Sequence, residues 1–209
     1  MKNLKKVLSL VLALAMALSL MTVAFAADAS DYKDYDEVTY KPAVDVMTAV
    51  GVFNGTGDGT NFTPDGTLTR EQAAKIITYM LVGQEQADKL TATVAPYSDV
   101  AASRWSAGAI AYCTNEGILA GTGNGKFSPD ATCTRAQIVT FLYRFKSNPA
   151  VYGSLNFSDV NKTEHAAFYN AILWAVNNKI TTGYGNGIFD PNGTCNRGDA
   201  VTFLYRALA

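Results

Sequence analysis

Apolar residues recur at helical spacing in three separate stretches of the chain. After residue 134, Ile138, Phe141, Leu142 and Phe145 follow the spacing of one helix face. The same pattern follows residues 69 and 196, and an apolar-periodic segment precedes each of these stretches. The hydrophobic pattern therefore predicts three helix–loop–helix units. The matching positions in the other two units are Ala73, Ile76, Ile77 and Met80, and Ala200, Phe203, Leu204 and Ala207.

The second helix of each unit has a polar start signal. Its capping residue is followed, three positions later, by a side chain that can bond back to the cap. Asn196 with Asp199 is the weaker version of this capping box. The three caps are Thr69, Thr134 and Asn196, and the third-position residues are Gln72, Gln137 and Asp199.

The first helix of each unit has its own end signal. Glycine follows the apolar pattern at Gly51 and Gly117, which is typical of a helix C-terminus, whereas Lys179 stands there in the third unit. A glycine-rich loop ending in phenylalanine then leads to the second helix. The phenylalanines are Phe62, Phe127 and Phe189.

This order of motifs resembles the S-layer homology repeat. The middle copy reads Tyr97-Ser-Asp99-Val, Trp105, Gly121-Thr-Gly-Asn-Gly125, Phe127-Ser-Pro129 and Thr134-Arg-Ala-Gln137. The resemblance implies an all-α fold in which three tandem helix–loop–helix repeats form a pseudo-threefold helical bundle. Each repeat is too small for an independent core, so we expect the three to pack as one unit.

The other two copies depart from the pattern. In the first copy, Glu37 stands where an aspartate is expected. In the third copy, the helix start reads Asn-Arg-Gly-Asp, so its cap is the weakest of the three and we expect a degraded site. The predicted boundaries are a signal peptide at 1–26, a mobile leader at 27–34, repeats at 35–82, 96–146 and 154–209, and linkers at 83–95 and 147–153.

The signal peptide changes the charge balance. It combines an early lysine cluster, an apolar run and the small-x-small cleavage site Ala24-Phe-Ala26. The chain has 17 basic and 18 acidic residues, and three of the basic ones lie in the signal, so the mature chain carries a net charge of −4. This charge argues against nucleic acid or an anionic membrane as partner, and we expect no membrane insertion after the signal is removed.

An arginine follows every cap, at Arg70, Arg135 and Arg197. A cation at the first helical position is disfavoured by the helix macrodipole, so we infer that the charge has a specific use. One interpretation is a site for a carboxylate or phosphate, formed by the guanidinium and three free backbone N–H groups. The other is an ion pair with an aspartate of a neighbouring repeat. The residues alone do not decide between them.

The resemblance also implies a ligand. S-layer homology proteins bind cell-wall glycan in grooves between repeats. The resemblance therefore implies as partner a secondary cell-wall polysaccharide that carries a pyruvate ketal, or a peptidoglycan-linked glycan. A secreted protein at the cell wall and surface layer follows. The alternative is a structural subunit that self-associates without binding glycan. The implied glycan-binding residues are Arg70, Arg135, Arg197, Trp105, Tyr40, Phe168, Gly121 and Gly123.

The sequence gives little indication of catalysis, metal binding or disulfide bonds. His165 is the single histidine, and no paired-carboxylate motif recurs, so we expect no enzyme and no cofactor. The segment 61–66 resembles the start of a calcium loop, but Gln72 stands where the closing acid belongs, so no metal site is predicted. Packing explains Cys133 and Cys195 at their equivalent positions, although a secreted setting also permits a disulfide.

Overall fold

The computed structural model describes residues 28–209, and the predicted signal peptide lies outside them. Within this part, seven α-helices and two short 3₁₀ turns are joined by loops that share only isolated β-bridges, which confirms the all-α prediction. The 3₁₀ turns are Ala29–Asp31 and Tyr35–Glu37. The helices are α1 (Lys41–Ala49), α2 (Arg70–Val82), α3 (Gln84–Asp88), α4 (Ala107–Asn115), α5 (Arg135–Phe145), α6 (Ala166–Asn177) and α7 (Arg197–Leu208).

The capping signals act as predicted at α2 and α5. The Thr69 hydroxyl accepts a bond from the backbone N–H of Gln72, and the Gln72 side chain accepts one from the backbone N–H of Thr69. The same reciprocal pair caps α5. At α7 the Asn196 side chain accepts a bond from the backbone N–H of Asp199 at 2.7 Å, but the Asp199 carboxylate turns elsewhere. The third repeat therefore forms only one of the two hydrogen bonds of the capping box.

Helices pack between repeats rather than within them. The first helix of repeat two, α4, lies against α2 of repeat one, and α6 of repeat three lies against α5 of repeat two. The ring closes when α1 of repeat one lies against α7 of repeat three. Each repeat thus buries its apolar faces against its neighbours, as expected for a pseudo-threefold bundle.

Backbone hydrogen bonds also join the repeats around the ring. At α2, the N–H of Arg70 donates to the carbonyl of Ala131 at 2.9 Å, and the N–H of Glu71 donates to that of Pro129 at 3.1 Å. Equivalent pairs start α5 and α7. The first two N–H groups of α2, α5 and α7 are therefore bonded to the next repeat around the ring. The expectation that they are free to bind a ligand is wrong.

An aspartate at the start of each repeat holds the loop before its second helix. In the first repeat this residue is Asp34, which accepts bonds from the backbone N–H groups of Phe62 and Thr63 at 2.7 and 2.6 Å. Tyr32 packs its ring against Phe62 at 5.8 Å between centroids. Asp99 and Asp159 make the same pair of bonds in the other repeats.

Two interpretations of the first repeat are therefore corrected. The repeat does not lack its initial aspartate, because Asp34 rather than Glu37 occupies that role. Residues 29–34 are not a mobile leader, because Ala29 and Tyr32 are buried in the core and Asp34 holds a loop. The sequence places the motif three residues too late, at Tyr35 instead of Tyr32. The reason is that Tyr35-Asp-Glu-Val38 has the same aromatic-x-acid-Val order as the motif.

The first helices end as their glycines predict. Gly51 and Gly117 have φ angles of +70° and +72°, the left-handed conformation that glycine adopts without a steric penalty. Lys179 adopts the same conformation, at +58°. The geometry of this turn is thus kept in the third repeat at the expense of local strain.

Three buried residues mark the point where the repeats meet. The N–H of Cys133 donates to the carbonyl of Leu68 at 2.8 Å, and the N–H of Cys195 donates to that of Cys133 at 2.9 Å. Both cysteines are free thiols, as is Cys113. Burial raises the pKa of both Cys113 and Cys133 to about 12, so these thiols are protonated and unreactive.

Candidate functional site

The motif arginines are buried, and each crosses to the next repeat. The Nε of Arg70 donates to the carbonyl of Phe127 at 2.8 Å, and its Nη2 donates to that of Ala120 at 2.9 Å. Its guanidinium also lies 4.5 Å from the centre of the Phe127 ring. Burial lowers the pKa of Arg70, yet a guanidinium stays charged at any physiological pH.

Arg197 repeats this arrangement, whereas Arg135 departs from it. Arg197 donates to the carbonyls of Phe62 and Asn54 at 2.9 and 2.8 Å. Arg135 donates through Nε to the carbonyl of Phe189 at 2.9 Å, and its Nη1 pairs with the Asp199 carboxylate. The Arg–Asp pair between repeats is therefore found at Arg135, while Arg70 and Arg197 join repeats through carbonyl groups.

A cavity of about 250 Å³ opens where the third repeat meets the first, and we call it the Arg135 groove. It brings together two of the predicted site residues, Arg135 and Tyr40. The other predicted residues do not line it. Its remaining polar and aromatic lining comes from Glu37, Thr39, Asp65, Thr181, Thr182, Tyr184, Asn196, Asp199, Thr202, Phe203 and Arg206.

Two tyrosines give this groove aromatic walls. Tyr184 is 55% exposed, and the guanidinium of Arg135 lies 4.3 Å from its ring centre. Tyr40 packs edge-on against Tyr205, and the guanidinium of Arg206 lies 5.0 Å from the Tyr40 ring centre. Aromatic faces beside polar groups suit the binding of a sugar ring, whose C–H face is apolar and whose hydroxyls need hydrogen bonds.

Trp105 lies at another junction, between α2 and α4, and is 56% exposed. Next to it, Arg104 binds Glu71 with two bonds at 2.7 and 2.8 Å and also pairs with Asp130. Ser106 donates to Glu71 at 2.5 Å. Burial acts to raise the pKa of Glu71, but the bonds from Arg104 and Ser106 outweigh it and hold that pKa below its usual value.

The remaining predicted residues have clear packing roles. Phe168 is half-buried against the core at the start of α6. A Cβ on Gly121 would lie 2.5 Å from the carbonyl oxygen of Lys126 and 2.7 Å from the Tyr97 ring, so only glycine fits there. Gly123 has a φ of +111° in an open part of the same loop. Both glycines shape the loop that supplies a carbonyl to Arg70.

Sequence reasoning missed Tyr184 and the partner of Arg135. Tyr184 stands in a glycine-rich loop where the other repeats carry Thr56 and Thr122. This aromatic residue in place of threonine could have indicated a site residue from the sequence alone. The replacement of a glutamine by Asp199 was visible too. Its consequence was not, because the direction of a side chain across a repeat junction depends on the packing.

Two further properties concern the described part of the chain. Residues 28–209 hold no cluster of three or more His, Cys, Asp or Glu side chains arranged to bind a metal ion. None of their helices has the length and apolar character needed to cross a membrane.

The three repeats match a known family. The S-layer homology domain profile matches residues 31–74, 96–139 and 156–201, so the chain belongs to the S-layer homology domain family. The first match begins at residue 31, in agreement with the structural role of Asp34. A secreted location at the cell wall and cell surface follows from this membership.

Relatives carry the same module within longer proteins. The chain is 30% identical over its whole length to a cell surface protein of Thermoanaerobacter kivui, of which it covers 25%. It is 32% identical over 77% of its length to a surface layer protein of Brevibacillus choshinensis, covering 14% of that protein. It is 28% identical over 70% of its length to a cellulosome-anchoring protein of Acetivibrio thermocellus, covering 33% of it. The chain thus spans a third or less of these relatives.

Proposed function

We propose that this chain is a non-enzymatic module that attaches to the bacterial cell wall by binding a pyruvylated secondary cell-wall polysaccharide in its inter-repeat grooves. The names of relatives support attachment, since one is a cellulosome-anchoring protein and another a surface layer protein. The polymer presents the same chemical group many times, so several weak grooves on one chain add up to firm attachment.

The observation that carries the proposal is the state of Arg70 and Arg197. Both guanidiniums are buried, at 3% and 7% exposure, and neither has an acidic side chain within ion-pair distance in residues 28–209. Backbone carbonyls satisfy only part of their five N–H donors. A ligand carboxylate would supply the missing counter-charge, and a pyruvate ketal carries one such group.

The aromatic residues complete the proposed grooves. Tyr40, Trp105 and Phe168 stand at the starts of the three first helices, where each could contact the apolar face of a sugar ring. Arg135 contributes the wall of its own groove, beside Tyr40. Gly121 and Gly123 belong to the loop whose Ala120 carbonyl accepts a bond from Arg70, at the edge of the groove proposed there.

Sedimentation with purified cell-wall sacculi tests this function. The mature chain should bind intact sacculi, lose most binding when mild acid removes the pyruvate ketals, and lose all of it when the polysaccharide is stripped. Undiminished binding to stripped sacculi would reject the polysaccharide and favour peptidoglycan. If the chain binds no sacculi but sediments as an oligomer alone, self-association replaces the proposal.

A pair of tyrosine variants sharpens the test. Tyr184 is exposed in the Arg135 groove, so Tyr184→Ala should weaken binding severalfold while leaving the fold intact, since one aromatic contact is worth about 1 kcal/mol. Tyr152 is 80% exposed and does not line that groove, so Tyr152→Ala is the matched control. Equal loss in both variants would show that the groove is not the binding surface.

A further inference from the structure

Asp199 makes one of the three arginine sites chemically different from the others. Its carboxylate pairs with Nη1 of Arg135, so this guanidinium has an internal counter-ion. Arg70 and Arg197 have none among the described residues. A carboxylate-bearing ligand at Arg135 would have to displace Asp199, and in doing so would place two carboxylates together.

Side-chain length explains the difference. At the equivalent position of α2 and α5, the longer Gln72 and Gln137 reach back to the backbone N–H of their own cap. Asp199 is one methylene shorter, and no such bond forms at Asn196. Its carboxylate crosses to the neighbouring repeat instead, where it remains 36% exposed at the side chain.

The charges that line the cavity also disfavour a ligand carboxylate at Arg135. The Arg135 groove is lined by two cations, Arg135 and Arg206, and by three acids, Glu37, Asp65 and Asp199, which leaves an excess of one negative charge. Such a lining repels a ligand carboxylate. It still offers Tyr184 as a stacking face and the Asp199 oxygens as acceptors for sugar hydroxyls.

The residues at the positions around Arg70 that correspond to the lining of the Arg135 groove carry the opposite charge balance, and we call this set the Arg70 groove. Arg144 stands at the position of Arg206, Gln137 at that of Asp199, and Asn192 at that of Asp65. The loop that replaces the one bearing Glu37 contains Lys162 and Glu164, which cancel. At these corresponding positions the Arg70 groove therefore has two cations, Arg70 and Arg144, and no excess of acid.

We propose that Asp199 sorts the sugars of the wall polymer between grooves, so that the Arg135 groove takes an uncharged sugar residue and the Arg70 groove takes the carboxylate-bearing one. This assignment rests on the proposed function. Under this assignment the chain binds two different sugars of one polymer, one in each groove, rather than the same sugar in every groove.

Reciprocal variants of the mature chain test the assignment. Asp199→Gln gives the Arg135 groove the residue of the other two repeats, and Gln137→Asp gives the Arg70 groove an internal carboxylate. The probes are fragments of purified wall polysaccharide that carry the pyruvate ketal, and the same fragments after mild acid has removed it. Calorimetric titration yields the ratio of the two affinities for each variant.

Asp199→Gln should raise the preference for ketal-bearing fragments by roughly tenfold, and Gln137→Asp should lower it by a similar factor, as expected when one charge-assisted hydrogen bond to the ligand is added or removed. Tyr184→Ala should weaken binding of the ketal-free fragments more than that of the ketal-bearing ones. Should one charge variant fail to fold, as judged by its melting, the other still decides.

Unchanged preferences in folded variants would overturn the assignment while leaving the proposed function standing. Wild-type protein that binds neither kind of fragment would overturn both.

Discussion

The junction between repeats one and two and the junction between repeats two and three are built on one backbone plan with different side chains. At the first, Arg70 donates to two carbonyl groups, and Gln137 completes the capping box of α5. At the second, Arg135 donates to one carbonyl group and pairs with Asp199, and the cap of α7 is only half formed. The N–H groups that start α2 and α5 are nevertheless bonded alike.

The difference shows which parts of the repeat carry the fold. The backbone bonds between repeats are the same at each junction. Within every repeat, an aspartate holds the loop that carries a buried phenylalanine. The third position of the second helix and the loop residue at Tyr184 vary without disturbing them. Side chains at these varying positions are therefore free to set the charge and shape of each groove.

The largest expected effect is the loss of a motif arginine. Arg70→Ala and Arg135→Ala should each lower the free energy of unfolding by about 3 kcal/mol, because each leaves a buried carbonyl group without its donor and a cavity behind. Urea denaturation measures both. The control is Arg144→Ala, whose side chain makes one long bond of 3.5 Å and should cost under about 1 kcal/mol.

The comparison between the two arginines is sharper in a double variant. Asp199→Asn should cost less in the Arg135→Ala background than alone, because its partner is already gone. The two changes should be additive if the ion pair contributes nothing to the junction, and additivity would contradict its role there.

Removal of a helix cap should have the next largest effect on stability. Thr134→Ala should lower the free energy of unfolding by about 1 kcal/mol, because it removes one bond of a complete capping box. Asn196→Ala should cost a similar amount or less, because the reciprocal bond is already absent at α7. Denaturant midpoints that stay fixed for both variants would refute the capping account.

The smallest effect expected is a gain. Lys179→Gly should raise the free energy of unfolding by about 0.5 kcal/mol, because glycine relieves the left-handed backbone at this turn although it also loosens the unfolded chain. Gly117→Ala, at the equivalent turn, should destabilise by about 1 kcal/mol. Thermal melting of both variants tests the sign, and a loss of stability on Lys179→Gly would show that the turn is not strained.

Much of this architecture could be predicted from local signals. Helical spacing, the Thr69 and Thr134 capping boxes and the terminal glycines act over a few residues, so their pattern alone located the helices. The predicted start of the first repeat was wrong because residues 35–38 have the same aromatic-x-acid-Val order as the motif. Asp34 could be recognised only by its bonds to residues 62 and 63, which lie far along the chain.

The candidate site was less predictable for the same reason. The arginines were found by their unfavourable position at a helix start. Their acceptors are backbone carbonyls of another repeat, which no side-chain pattern reveals. The meeting of Arg135, Tyr40 and Tyr184 in one groove depends on ring closure, since these residues come from three different repeats.

The central claim is that wall glycan is bound in grooves formed by the motif arginines. Nuclear magnetic resonance of the Nε–H groups of Arg70, Arg135 and Arg197 tests it directly, since burial and bonding to carbonyls protect these protons from exchange with water. Titration with ketal-bearing wall fragments should shift the Arg70 resonance most. Fragment binding that leaves all three arginine resonances unmoved would contradict the account.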